Sequence, residues 1–254
     1  NASMKDGLDN DITTAGGQVV GRLQLTSNYT DPRRATDLTS LVTNPDLRPL
    51  GLTLPTTGDA GDAAGALLAW VLVGNGTASD LTQVITGLSA GAYLTVDKSP
   101  HPARAIVVVG NGALPAGDVG GKMLLALVNQ LQAAGAFVVV AGDAAAATKG
   151  GLVALVRGDD AARNAVCTVD NADTAMGQVS TIIALAEAVA GQSAQSSHYG
   201  TGAGAKALFP DPLPVTGPTA EPTAPPTGAP TASPSASSSA ATPPTAATAG
   251  PTGG

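Results

Sequence analysis

The chain has 254 residues, a formal charge of −7, 43% hydrophobic residues and only 2% aromatics. The acidic balance argues against nucleic acid, which calls for a basic face, and against an anionic membrane surface, which calls for a polybasic patch. A single cysteine, Cys167, rules out an internal disulfide and a multi-cysteine metal cluster.

The elements follow in chain order. Residues Lys5–Ala15 form a helix, with Leu8, Ile12 and Ala15 on one face and Gly16-Gly17 as its stop. Val19-Val20 and Leu23/Leu25 form a strand. Asp31 caps a helix whose first position is Pro32 and which runs to about Val42. Breaks at Asn44-Pro45 and Arg48-Pro49 precede a helix over Asp59–Ala69, which feeds a strand at Trp70–Val73. After Gly74-Asn75-Gly76 come a helix from Ser79 to Leu88 and a strand at Tyr93–Val96. Next are a strand over Arg104–Val109, a second Gly-Asn-Gly turn at 110–112, and an amphipathic helix over Asp118–Ala134 closed by Gly135. Apolar strands at Phe137–Ala141 and Leu152–Val156, a short strand at Val166–Val169 and a helix over Gln178–Ala190 complete the set.

Continuous apolar strands alternating with helices predict a three-layer, Rossmann-like α/β domain around a mostly parallel sheet. That sheet is expected to contain 70–73, 106–109, 137–141 and 152–156. From Leu208 the composition changes: twelve of the 19 prolines and only two charges, Asp211 and Glu221, lie between there and Gly254. Such a segment has too little apolar surface to offset the entropy of ordering. The chain therefore divides into a domain over 1–207 and a disordered Pro/Thr/Ser/Ala-rich tail over 208–254.

Candidate chemistry is sparse. The two strand–Gly-Asn-Gly–helix echoes, at 70–80 and 106–118, could hold a phosphate at a helix N-terminus. Neither completes a G-x-G-x-x-G fingerprint, because Ser79 and Pro115 occupy the third glycine position. His101 sits between two prolines, His198 stands beyond the last helix, and Met4, Met123 and Met176 do not cluster. Met123 and Cys167 read as core. These ligand spacings do not support a copper site, and no cofactor is expected. Asp159-Asp160 and Asp170–Asp173 follow predicted strands and would share the sheet's carboxyl crest. No G-x-S-x-G elbow or P-loop occurs, and no enzyme chemistry is expected.

One stretch is familiar. Residues 167–205 contain Thr168-Val169-Asp170-Asn171-Ala172-Asp173, a glycine-started apolar helix from Gly177, and Tyr199-Gly200-Thr201-Gly202-Ala203-Gly204-Ala205. This resembles the signature of the MctB family, the copper-transport family of the actinobacterial cell envelope. Family members carry an acidic residue where Asn171 stands. The resemblance marks Asp170, Asp173, Tyr199, Gly200, Thr201 and Gly202 as signature positions. It implies a non-enzymatic, membrane-associated, extracytoplasmic envelope protein serving copper efflux and homeostasis. It also implies an anchoring helix and a coiled coil ahead of the domain, and Asn1 in place of Met fits a chain whose true start lies upstream. The related member SteB implies the alternative of an interaction module in cell separation and peptidoglycan hydrolysis. A nucleotide-using enzyme is a third alternative. Expected partners are an envelope or cell-division protein, a second copy of the chain, and the membrane through that upstream anchor, with nucleic acid excluded.

Overall fold

The structure is a computed structural model that describes residues 2–56, 58–110, 112, 118–190 and 197–210. Its elements are α1 (Ala2–Thr14), β1 (Arg22–Leu25), α2 (Ser27–Thr30), α3 (Ala35–Val42), α4 (Ala60–Val73), α5 (Ala78–Ala90), β2 (Leu94–Lys98), β3 (Ala105–Gly110), α6 (Val119–Ala133), β4 (Phe137–Gly142), α7 (Leu152–Gly158), β5 (Cys167–Val169), α8 (Ala175–Val189) and β6 (His198–Tyr199). Short 3-10 turns at Pro32–Arg34, Ala144–Ala147 and Ala162–Asn164 link them.

The strands β3-β4-β5-β6 form a parallel sheet in that order. Strands β3 and β4 pair over their full length, from Ala105 opposite Phe137 to Gly110 opposite Gly142. Successive side chains alternate between the two faces. Ile106, Val108, Val138 and Val140 therefore point into one apolar cluster with Met123, Leu127, Leu131, Leu152, Val153 and Val156 of α6 and α7. Val107, Val109, Val139 and Ala141 point into a second cluster with Met4 and Leu8 of α1 and Ala184 and Leu185 of α8. The three layers expected from continuous apolar strands are present, because a sheet covered on both faces has no polar side to alternate with.

Two predicted strands are helices. Trp70–Val73 is the last turn of α4, whose Ala- and Leu-rich stretch runs unbroken from its capping box at Asp59 and Asp62. It ends at Gly74, which adopts the left-handed conformation (φ 91°) and returns its N–H to the Trp70 carbonyl. Helix α4 is apolar nearly all round, as expected of a buried helix. Leu152–Val156 belongs to α7, where Leu152, Val153 and Val156 share one buried face at helical spacing. The places in the sheet expected for 70–73 and 152–156 are taken by β5 and β6. The strand at Tyr93–Val96 lies outside the parallel sheet: β2 pairs antiparallel with β1, Leu25 facing Leu94 and Leu23 facing Val96.

Helix α4 lies against α6, not against the sheet. A Cβ on Gly61 would stand 2.6 Å from the Met123 Cα, and one on Gly65 would stand 3.0 Å from the Leu127 Cα. The matching order of these contacts makes the two helices parallel, and the missing side chains let the backbones approach closely. Beyond Pro210 the tail reading falls outside the described residues, as does most of the turn after β3.

Candidate functional site

The carboxyl ends of β4, β5 and β6 converge on Asp170, the residue after β5. Its side chain is fully buried, and the Arg157 guanidinium, 5% exposed, stands against it at 2.7 Å. Arg157 is in the last turn of α7 and spends every arm of its fork. Nη1 donates to Asp170 Oδ2 and to the Ala203 carbonyl, Nη2 to the Tyr199 carbonyl at 2.9 Å, and Nε to Thr168 Oγ1 at 2.9 Å. Asp170 in turn accepts the backbone N–H of Thr201 at 2.7 Å and of Gly202 at 2.9 Å. A buried pair of charges survives only when its remaining hydrogen-bonding capacity is met, and here it is.

The glycines make this contact possible. Gly200 has φ 122°, and a Cβ there would lie 2.1 Å from Asp170 Oδ1. A Cβ on Gly202 would lie 2.5 Å from the Ala147 Cβ. Tyr199, 8% exposed, joins the α1/α8 cluster with Val169. Thr201 contributes its backbone N–H to the carboxylate. Five of the six signature positions thus meet at one clasp that fastens β6 to β5. The sixth, Asp173, lies exposed in the turn before α8 and takes no part. Asn171 is buried and its Oδ1 finds no donor among the described residues. A carboxylate there would bury unpaired charge, so an amide is the cheaper occupant. Gly177, in the first turn of α8, lies directly over this point: a Cβ there would fall 2.0 Å from the Asn171 carbonyl oxygen.

His198 extends the clasp. It lies in β6, a strand unrecognised in the sequence, and is 4% exposed. Its Nε2 bonds the Arg163 carbonyl at 3.1 Å and its Nδ1 faces Thr168 Oγ1 at 3.0 Å. With Arg157 Nε donating to the Thr168 oxygen, the threonine hydroxyl donates to Nδ1 and the ring is neutral with its proton on Nε2. Burial first, then the charges of Arg157 and Lys206, pushes the His198 pKa down to about 4. Arg157 was missed in sequence. Its signal was one cation within the apolar run LVALVRG, which implies an acidic partner when the run is buried.

The other flagged residues do not converge here. Gly74-Asn75-Gly76 follows a helix, so it offers no strand-end cradle. After β3, Asn111 falls outside the described residues, and the Gly112 N–H already donates to Asp143 Oδ1 at 3.0 Å. Asp159 and Asp160 follow α7, not a strand. Asp159 Oδ1 accepts the backbone N–H groups of Ala161 and Ala162, and Asp160 pairs with Arg163. His101 is exposed on its loop, with its N–H on the Val20 carbonyl. Met123 is core, whereas Met176 is 49% exposed on α8. Cys167 is buried and its thiol is pushed up to about 12, chiefly by burial, which keeps it protonated. Among the described residues no three His, Cys, Asp or Glu side chains converge as metal ligands, and no helix is long and apolar enough to cross a membrane.

Comparison with known proteins gives one family. The family model described as "Copper transport outer membrane protein, MctB" matches residues 1–210. The copper transporter MctB of Mycobacterium leprae is 30% identical over 212 residues, covering 78% of this chain and 66% of that relative. The copper transporter MctB of Mycobacterium tuberculosis is 30% identical over 222 residues, covering 80% and 69%. The chain spans about two thirds of the length of these relatives.

Proposed function

The chain belongs to the MctB family of copper transport outer membrane proteins, and from that premise we propose that it serves copper efflux and homeostasis at the cell envelope without catalysing a reaction. The supporting observation is the extent of the match, residues 1–210, which takes in every described element of the domain. In this reading the domain is extracytoplasmic and membrane-associated.

Copper itself is treated as cargo. A tight Cu(I) site takes two or more soft ligands at close range. Here the one thiol is held protonated in the core; Met4 shares its apolar cluster, Met123 lies in the other cluster and Met176 is exposed on α8. We therefore assign copper handling to the assembled envelope protein and its partners, and give the domain a structural part, with the Arg157–Asp170 clasp keeping its sheet closed.

Deleting the gene in its host, with total cell copper measured by mass spectrometry under copper challenge, tests this reading. It requires copper to rise several-fold, with rescue by the intact gene. Unchanged copper overturns it. Competition of the purified chain with a Cu(I) chelator should reveal no site tighter than about micromolar. One observation favours a second reading. The outer face of α8 carries Met176, Val179 and Val189 at 49%, 54% and 63% exposure, which suits a protein partner. If deletion leaves copper unchanged but cells unseparated, the interaction module of cell separation replaces the copper role.

A further inference from the structure

At the carboxyl ends of β5 and β6 the crest is occupied by the chain's own 200–207 turn, and a concave surface opens elsewhere among the described residues. Because α4 and α6 run parallel, their carboxyl ends lie together. Between those ends and the 51–53 loop is a cleft of about 330 Å³, walled by Leu52, Thr53, Ala66, Trp70, Asn75 and Gln130, with Ala133 and Ala134 at its edge.

Three features of this cleft limit what can occupy it. First, its lining has no charged side chain. Two helix carboxyl ends meet there, and their partial negative charge disfavours an anion. A phosphate or carboxylate ligand would find no cation. Second, the polar groups are neutral and uncommitted. The Gln130 carboxamide and the Thr53 hydroxyl make no hydrogen bond among the described residues, and the Asn75 side chain spends only one, Nδ2 to the Ala134 carbonyl at 3.4 Å. The Trp70 indole N–H is buried away from solvent and is not among the groups the cleft offers a ligand. Third, the wall is the half-buried ring of Trp70, set among the small apolar surfaces of Ala66 and Leu52.

An aromatic ring, two carboxamides, a hydroxyl and no charge suit a neutral, hydroxyl-rich ligand. The C–H face of a sugar ring packs on an indole, and its vicinal hydroxyls both donate to and accept from side-chain amides. We propose that this cleft binds an uncharged saccharide chain, with the ring on Trp70 and its hydroxyls on Asn75 and Gln130. The inference is independent of copper handling.

Trp70 is the chain's only tryptophan, so its emission reports the cleft directly. The full chain is titrated with two uncharged probes, the tetramer of N-acetylglucosamine and maltotetraose, followed by fluorescence and by calorimetry. At least one probe gives a saturable response in the millimolar range or tighter. Gln130→Ala and Asn75→Ala are loop or half-exposed changes that spare the core, and each weakens binding about fivefold. Trp70→Phe, read by calorimetry with circular dichroism as the fold control, weakens it further. No saturable response to either probe by either method overturns the proposal. So does binding that the Gln130→Ala/Asn75→Ala double variant leaves unchanged.

Discussion

The molecule fixes two of its contacts, β5 with β6 and α4 with α6, by opposite means. Where β5 meets β6, register is set by charge: Asp170, Arg157 and two backbone N–H groups close a buried network at a strand only two residues long. Where α4 meets α6, register is set by the absence of side chains at Gly61 and Gly65. The polar contact gives direction and specificity to a strand too short to hold its place by ladder bonds. The steric contact gives close packing over a long helix pair and involves no charge. The first should fail when one partner is removed, the second when an atom is added.

The largest effect expected is from Asp170→Ala, which strands the Arg157 charge in the interior and costs about 3–5 kcal/mol in denaturant unfolding. The paired change Asp170→Leu with Arg157→Met should cost clearly less than the single one. If the pair is as damaging as the single change, the network holds the strand by more than mutual neutralisation. On the steric side, Gly61→Val forces bulk against the Met123 backbone and should cost about 3 kcal/mol. A change below the error of the unfolding curve would mean that the helices can slide apart.

Acid separates the two contacts further. His198 is held neutral with its pKa lowered to about 4, while an unfolded histidine titrates near 6.5. Between those values the unfolded chain binds more protons, so stability is full above about pH 6.5 and falls as pH drops toward 4. At pH 5 the loss amounts to about 2 kcal/mol. Replacing His198 by Gln should flatten that portion of the stability–pH profile, whereas Gly61→Val should leave its shape unchanged. The smallest effect expected lies outside both contacts. Thr77 caps α5, its Oγ1 accepting the Asp80 N–H at 3.1 Å while Asp80 Oδ2 accepts the Thr77 N–H at 2.7 Å. Thr77→Ala should cost about 1 kcal/mol. Combined with either Asp170→Ala or Gly61→Val, its cost should simply add.

The layers of the fold were legible because β3 and β4 are continuous apolar runs centred on three consecutive valines and ended by glycine, as expected of strands covered on both faces. Trp70–Val73 and Leu152–Val156 look alike at that length, since four or five apolar residues carry no usable period. Their helical state is decided by what surrounds them: an alanine-rich stretch already helical before Trp70, and a buried face at Leu152, Val153 and Val156. At the site, the Tyr199–Gly202 pattern and Asp170 could be picked out by resemblance. Arg157 could not, because its partners stand 13 and 42 residues away and meet it only once β5 and β6 are neighbours. The copper reading rested on that same resemblance, and the family match supports it at that level. Periodicity and ligand spacing carried no trace of it.

The brief strand β6 has a mechanical consequence. After it the chain turns back, Lys206 donating its N–H to the His198 carbonyl and Gly200 its N–H to the Ala207 carbonyl, before reaching Pro210. A pull on the chain beyond Pro210 would be transmitted first through those few backbone bonds and then onto the Arg157–Asp170 pair. The pair would act as a shear pin: below its breaking load the sheet behaves as a rigid body, and above it β6 would leave as a unit, exposing the edge of β5 while the β3–β4 pair stays whole.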